Sequence, residues 1–319
     1  MPTDTLDARL SGRRRPVPGS ELLIGAVDSH VHCAPHINRR TVTLFDAVRD
    51  AAAAGLAGLG VMDVFANTSG LAALANVELG HLGVEVFGGI ILEPYVGGVS
   101  ARTVETALGM GYGARDGARF VSLPCHNTVF VGRSEGRSPA FLEQCLAIPD
   151  RGPMPGDIPC ILDLCARHDV VFNTGHLSGP EHLRVVEAAR AAGVQRVLVP
   201  AGYLDRDEAL DIAAMGAVLE YSFFVFSHAT QVPQTMIDAE RHRFALSDLG
   251  RAADIIGRLD PSQVVLSSDS GALILAPPVE AFREFLTMLH GMGLPEADLR
   301  RMSAETPARL FGLGPAAQA

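Results

Sequence analysis

The chain has 319 residues, 48% of them hydrophobic and 19% charged, a composition that supports a large buried core and excludes a disordered chain. A formal charge of −10 argues against nucleic acid or another polyanion as partner. All 26 basic residues are arginine, so mechanisms that need a Schiff-base lysine, a phosphate-loop lysine or a lysine carbamate are excluded.

Residues 1–20 read as a tail. The basic cluster Arg13–Arg15 follows acidic residues and precedes no apolar segment, and no run reaches the roughly 18 to 20 residues of a membrane helix. A soluble, cytoplasmic protein without membrane partner is expected, one that acts on a small molecule and associates with copies of itself. Five cysteines (Cys33, Cys125, Cys145, Cys160, Cys165) form an odd set without C-x-x-C pairing, which fits reduced thiols better than disulfides.

From residue 21 to 319 short β-rich runs alternate with helical patterns. The predicted strands are 22–32, 57–64, 84–92, 119–126, 170–176, 196–203, 217–224 and 263–271. Segments such as "TLFDAVRDAAAAG" and "GPEHLRVVEAARAAG" lie between them, closed by glycines suited to a left-handed cap. This order predicts an α/β chain forming a single (β/α)₈ TIM barrel. An open doubly wound sheet is the alternative, but no glycine-rich dinucleotide fingerprint follows the first strand. The connections after strand four (Asn127 to about Asp157) and strand seven (about Val225 to Phe244) exceed the usual length of about 2 to 6 residues and are lid candidates.

In "VDSHVH" the strand period places Asp28, His30 and His32 on one face. Hydrogen-bonded histidines in a turn are the bland reading. Two further strand ends oppose it: His176 closes "FNTGH" and Asp269 sits in "LSSDSG". Three imidazoles and a carboxylate at a barrel mouth form a donor set for a divalent ion, zinc first, with manganese or iron as alternatives.

The stretches "DSHVHCAPH", "FGGIIL", "VGGVSARTVETAL", "NTGHLSGPEHLRVVEAARAAGV", "VLSSDSGA" and "TPARLFGL" resemble the amidohydrolase superfamily of metal-dependent barrels, in a branch of amidohydrolase-related proteins. The resemblance runs from Leu22 to Leu313. It implies metal ligation by His30, His32, His176 and Asp269, and makes His126 in "LPCHNT" and Glu220 in "LEYS" further candidates. His126 has a structural reading beside this one, and Glu220 has a role in orienting a histidine. The histidine that such proteins often carry after strand six is absent, since "VPAGY" stands there. His36, Asn127, Arg133, Tyr203 and His228 are candidate substrate contacts. His81, His168 and His290 fall near predicted helix ends, and His182 and His242 on polar helical surfaces.

The implied chemistry is hydrolysis of an amide, cyclic amide, lactone or ester by a metal-activated water, with Asp269 as ligand and acid/base. A mononuclear decarboxylase or hydratase is the alternative within the superfamily. A small-molecule-binding barrel without catalysis is the alternative of another class. Phosphoesterase barrels with a similar His-x-His are set aside because "SSDSG" and "TPARLFGL" point elsewhere.

Overall fold

The computed structural model describes residues 17–111, 117–235 and 241–314. Most of the expected tail, including Arg13–Arg15, lies outside the described residues. Eight parallel strands follow one another in sequence order: β1 (Val27–Val31), β2 (Gly58–Val61), β3 (Glu85–Ile91), β4 (Phe120–Ser122), β5 (Val171–Asn173), β6 (Val197–Pro200), β7 (Val218–Ser222) and β8 (Val264–Ser267). Helices α1 (Leu44–Ala54), α2 (Ser69–Leu79), α3 (Ala101–Leu108), α4 (Ile158–His168), α5 (Gly179–Ala191), α6 (Arg206–Ala214), α7 (Leu249–Ile256) and α8 (Pro278–Gly291) follow them in turn. This is the expected (β/α)₈ barrel. It closes where β1 meets β8, through a parallel bridge between Val31 and Ser270.

Two layers of side chains hold it. Phe120, Val171, Leu198, Val218 and Val265 point into the barrel, where Phe311 packs on Phe87 with ring centroids 4.5 Å apart. Their neighbours Val121, Phe172, Val199, Leu219 and Leu266 point outward into the larger core under the helices. The period of two therefore buries both faces of each strand, which is why the strands read as continuous apolar runs. Each buried side chain of this size contributes about 1.5–3 kcal/mol. At the amino-terminal end, Arg196 forks onto Asp169 and donates to the carbonyls of Arg309 and Leu310, while Arg119 donates to those of Phe311 and Gly312. These two arginines strap the short helix Thr306–Phe311 across the barrel floor.

The strands are shorter than predicted, most of all the first. Leu22 and Leu23 belong to a 3₁₀ turn (Ser20–Leu23), where they are buried in the outer core. Their apolar character serves packing rather than strand pairing. The long connections are present and folded. The first contains short helices Val129–Ser134 and Pro139–Leu142, capped by the hydroxyls of Thr128 and Ser138. The second contains 3₁₀ turns Phe223–Phe226 and His228–Gln231 and a two-stranded ladder, Gln234–Thr235 with Arg241–His242. His242 thus lies in a strand, not on the helical surface expected for it. His182 is also corrected: it is 1% exposed and its Nδ1 lies 2.9 Å from Thr174 Oγ1, because the face of α5 that carries it packs on the barrel. No helix among the described residues is long and apolar enough to cross a membrane.

β1 and β2 approach closely at Gly60, where a β-carbon would run into the Ser29 carbonyl and the Phe87 ring. Gly60→Ala should therefore destabilise the protein by about 1–3 kcal/mol, as overpacked cores do. Urea unfolding monitored by circular dichroism measures this; an unchanged midpoint would contradict the packing.

Candidate metal centre at the barrel mouth

The seam between β1 and β8 builds the site from the backbone outward. The Asp269 N–H donates to the His30 carbonyl (2.9 Å) and the His32 N–H to the Ser270 carbonyl (2.8 Å). Asp269 adopts φ +47°, a left-handed conformation that aspartate tolerates better than most residues. Gly271 follows at φ +133°, and a β-carbon there would collide with the His32 carbonyl. Below the seam the buried Asp28 accepts the Ser268 N–H at 2.9 Å. Burial pushes the Asp28 carboxyl up to about 7.

This backbone brings three side chains together. His32 Nε2 lies 3.0 Å and His30 Nε2 3.4 Å from the same oxygen, Asp269 Oδ1. The two rings stand 5.2 Å apart between centroids. Glu220, reaching up from β7, places Oε1 3.4 Å from His30 Nδ1 and accepts the Ser267 hydroxyl at 2.9 Å. A carboxylate behind one imidazole nitrogen fixes the ring so that the other nitrogen faces the mouth. Burial alone would lower the pKa of His30, but Asp269 and Glu220 overcome it and raise the ring to about 9. Burial opposes ionisation of Asp269, yet His30, His32 and His176 hold its carboxyl down at about 2. The mouth is an attractive cluster of imidazole and carboxylate waiting on a shared charge.

These donors fit a divalent cation. Nitrogen and oxygen ligands at about 2.0–2.2 Å from a tetrahedral ion lie roughly 3.3–3.6 Å from each other, and here the two imidazoles stand 3.4 and 3.0 Å from Asp269 Oδ1. The Nδ1 atoms of both histidines are buried without a hydrogen bond, so neither ring is committed to a backbone partner.

Among the described residues only His30, His32 and Asp269 offer ligand atoms that all lie within 4.8 Å of one another. His176, expected as a fourth member, lines the same cavity and acts on Asp269 through its charge, but is not among the residues whose ligand atoms lie within 4.8 Å of one another; burial lowers its pKa. His126 lines the cavity too, with its ring against Phe244 at 5.7 Å, outside the trio. Glu220 acts on His30 rather than joining the cluster.

Two connected lobes meet at His30, His176, Tyr203 and Asp269. The first, about 190 Å³, has apolar walls from Val64, Phe65, Ile91, Phe130, Phe224 and Phe244. The second, about 230 Å³, runs toward the start of α5 at Ser178 and Gly179 and is bordered by Glu208 and Ser222. Both long connections supply wall residues, as their position after β4 and β7 leads one to expect.

Of the expected substrate contacts, Tyr203 lines both lobes, and its hydroxyl donates to the Ala245 carbonyl at 2.8 Å, tying the connection after β7 to β6. The other four sit elsewhere. His36 is corrected to a structural role: its side chain is 1% exposed, wedged between Asp63, Arg40 and Phe65, and burial lowers its pKa to about 3. Asn127 is buried behind the wall, its N–H given to Glu93 at 3.2 Å. Arg133 and His228 are exposed and lie outside both lobes, since each falls on the outer side of a short helical turn.

Sequence reasoning missed two residues. Arg40 lines the first lobe. Glu93, fully buried just past β3, accepts the backbone N–H groups of Cys125 (2.7 Å), His126 (2.6 Å) and Asn127 (3.2 Å). An acidic residue ending the apolar run "GGIILEP" was a visible signal for Glu93, because only a strand end or a site justifies it there. The thiols of Cys33 and Cys125 are buried with raised pKa values, which leaves them inert.

The family profile described as a family of unknown function (DUF6282) matches residues 25–220. No curated protein matches the chain in sequence. In fold the chain is similar to the organophosphorus hydrolase from Deinococcus radiodurans, at TM-score 0.55 and 13% identity over 93% of this chain and 94% of that one. It is similar to the phosphotriesterase homology protein from Escherichia coli, at TM-score 0.55 and 13% identity over 90% and 98%. An amidohydrolase from Pseudomonas aeruginosa matches at TM-score 0.55 and 11% identity over 92% and 98%. At such identities the likeness speaks for the barrel itself.

Removing the Glu93 carboxylate leaves three buried N–H donors to find new partners. Glu93→Ala should cost about 1–3 kcal/mol or more of stability, with Glu93→Gln milder because one oxygen remains. Guanidinium unfolding of the pair decides it; equal stability for Glu93→Ala and the parent would remove this anchoring role.

Proposed function

The chain belongs to the DUF6282 family, and from the geometry of its barrel mouth we infer that it is a metal-dependent hydrolase of small molecules. One observation carries the reading: His30 Nε2, His32 Nε2 and Asp269 Oδ1 converge at the carboxyl-terminal end of the barrel, where barrel enzymes do their chemistry. These three residues would hold the ion, and two imidazoles with one carboxylate suit zinc, with manganese or iron as alternatives. A divalent ion bound there supplies a water whose pKa falls from 15.7 to about 7 and polarises the reacting group.

The chain's own residues do the rest. Asp269, ionised at neutral pH, accepts the proton of the attacking water and returns it to the leaving group. Glu220 keeps His30 in register. Tyr203, Phe130, Phe224 and Phe244 limit water to the reacting position. The bond attacked belongs to an amide, cyclic amide, lactone or ester. Fold neighbours named for organophosphorus hydrolysis and for amidohydrolase activity put phosphotriesters beside these in any substrate panel.

Protein purified without added metal should contain a divalent ion by plasma mass spectrometry. Incubation with the panel in ¹⁸O-water should place the label in product, and Asp269→Asn should lower turnover by about 10²–10⁴. Release of carbon dioxide without label would redirect the reading to decarboxylation, and a protein that takes up neither zinc nor manganese would end it.

His30 gives a pH test. Its pKa is raised from 6.5 to about 9, so its ion pairing stabilises the protein fully below pH 6.5 and is lost as pH rises through 9. Ligation needs the neutral ring. Metal uptake at pH 7 should therefore expel a proton, seen in calorimetry as a heat that varies with the buffer's ionisation enthalpy, and affinity should climb toward pH 9. A buffer-independent heat would contradict the assignment of His30.

A further inference from the structure

The hydrolytic reading leaves one half-buried cation at the cavity without a task. Arg40 is the single lysine or arginine among the described residues lining either lobe. A bridge to Ala272 and the bond from the Thr41 N–H to the Gly271 carbonyl (2.8 Å) tie its backbone to the segment leaving Asp269. The backbone from which its guanidinium reaches into the lobe is therefore tied to the segment that carries Asp269. One of its nitrogens meets His36 Nε2, which stands 3.4 Å from Asp63 Oδ1, so the arm is braced from behind. Its Nε is buried and has no hydrogen-bond partner. Asp63 and Asp269 attract it, but among the described residues no carboxylate forms a salt bridge with it. Glu135, which with Asp269 is acidic in the first lobe, faces Arg137 at 3.6 Å.

A guanidinium lining a lobe without a salt-bridged carboxylate of its own among the described residues, opposite the apolar side chains of Val64, Phe65, Ile91, Phe130, Phe224 and Phe244, calls for a ligand that is anionic at one end and apolar along its body. We propose that Arg40 determines specificity by binding the carboxylate of an organic-acid substrate, whose apolar body lies along the aromatic wall and whose scissile group reaches Asp269. This rests on the hydrolase reading for the identity of the scissile group. The carboxylate contact itself requires no metal.

The test uses 4-phenylbutanoate and its neutral counterpart 4-phenylbutanamide, titrated calorimetrically into the protein as purified and after chelation. The acid should bind at least roughly tenfold more tightly than the amide in both states, the range expected of hydrogen bonds to a charged group. Arg40→Gln should bring the two affinities within about twofold of each other by weakening the acid alone, while Arg40→Lys keeps part of the preference. Equal affinities in the parent protein, failure of both probes to bind, or a preference that survives Arg40→Gln would each overturn the proposal. So would a preference that disappears on chelation, since the carboxylate would then sit on the ion. If the variants fold poorly, the acid and amide comparison in the parent still decides. A preserved acid preference in a protein that takes up no metal would remove the hydrolase reading and leave the Arg40 contact standing.

Discussion

Closure of the barrel between its first and last strands is the constraint from which the rest of the site follows. The two bonds that knit the seam, Asp269 N–H to the His30 carbonyl and His32 N–H to the Ser270 carbonyl, join the residues whose side chains form the trio. Backbone and site are thus one object. An open sheet with the same strands would leave the histidines and the aspartate at opposite edges, with no electrostatic gain to hold them. The left-handed Asp269 and the crowded Gly271 are the local cost of turning the carboxylate inward, and they fall where strain is commonly found, beside chemistry.

Around the seam the chain uses buried carboxylates as clamps rather than as reagents. Glu220 faces one imidazole, Glu93 gathers three backbone N–H groups of the β4 connection, and Asp63 backs His36 and through it Arg40. Glu220 lies within β7, and Glu93 and Asp63 each lie two residues past the end of a strand. The result is a mouth in which the side chains facing the cavity are set by a rigid second layer, while the two long connections supply the apolar walls. Rigid donors and adaptable walls are the division of labour that lets one barrel serve many substrates.

Much of this was legible in order along the chain. The alternation of apolar runs announced the barrel, since strands buried on both faces must be apolar throughout, and His30, His32 and Asp269 stood out because polar residues at strand ends have few structural excuses. The substrate contacts were less legible. His36 looked available in a loop after β1, yet it is walled in, and the neighbouring pair Arg39 and Arg40 carried no mark of which one turns inward. The bridge of Arg40 to Ala272, a residue more than two hundred positions away, makes that choice. His182 shows the same limit, because helix periodicity names a face but not what the face packs against.

By itself the sequence determined the class of fold, the exclusion of lysine chemistry and the residue types available at the mouth, because period and composition are local properties of the chain. Only the tertiary structure decided which donors come within ligand distance of one another, that Glu220 faces His30, and that Arg40 rather than Arg133 lines the cavity. Those distinctions are a matter of ångströms between segments remote in sequence, and barrel closure, not any local preference, sets such distances.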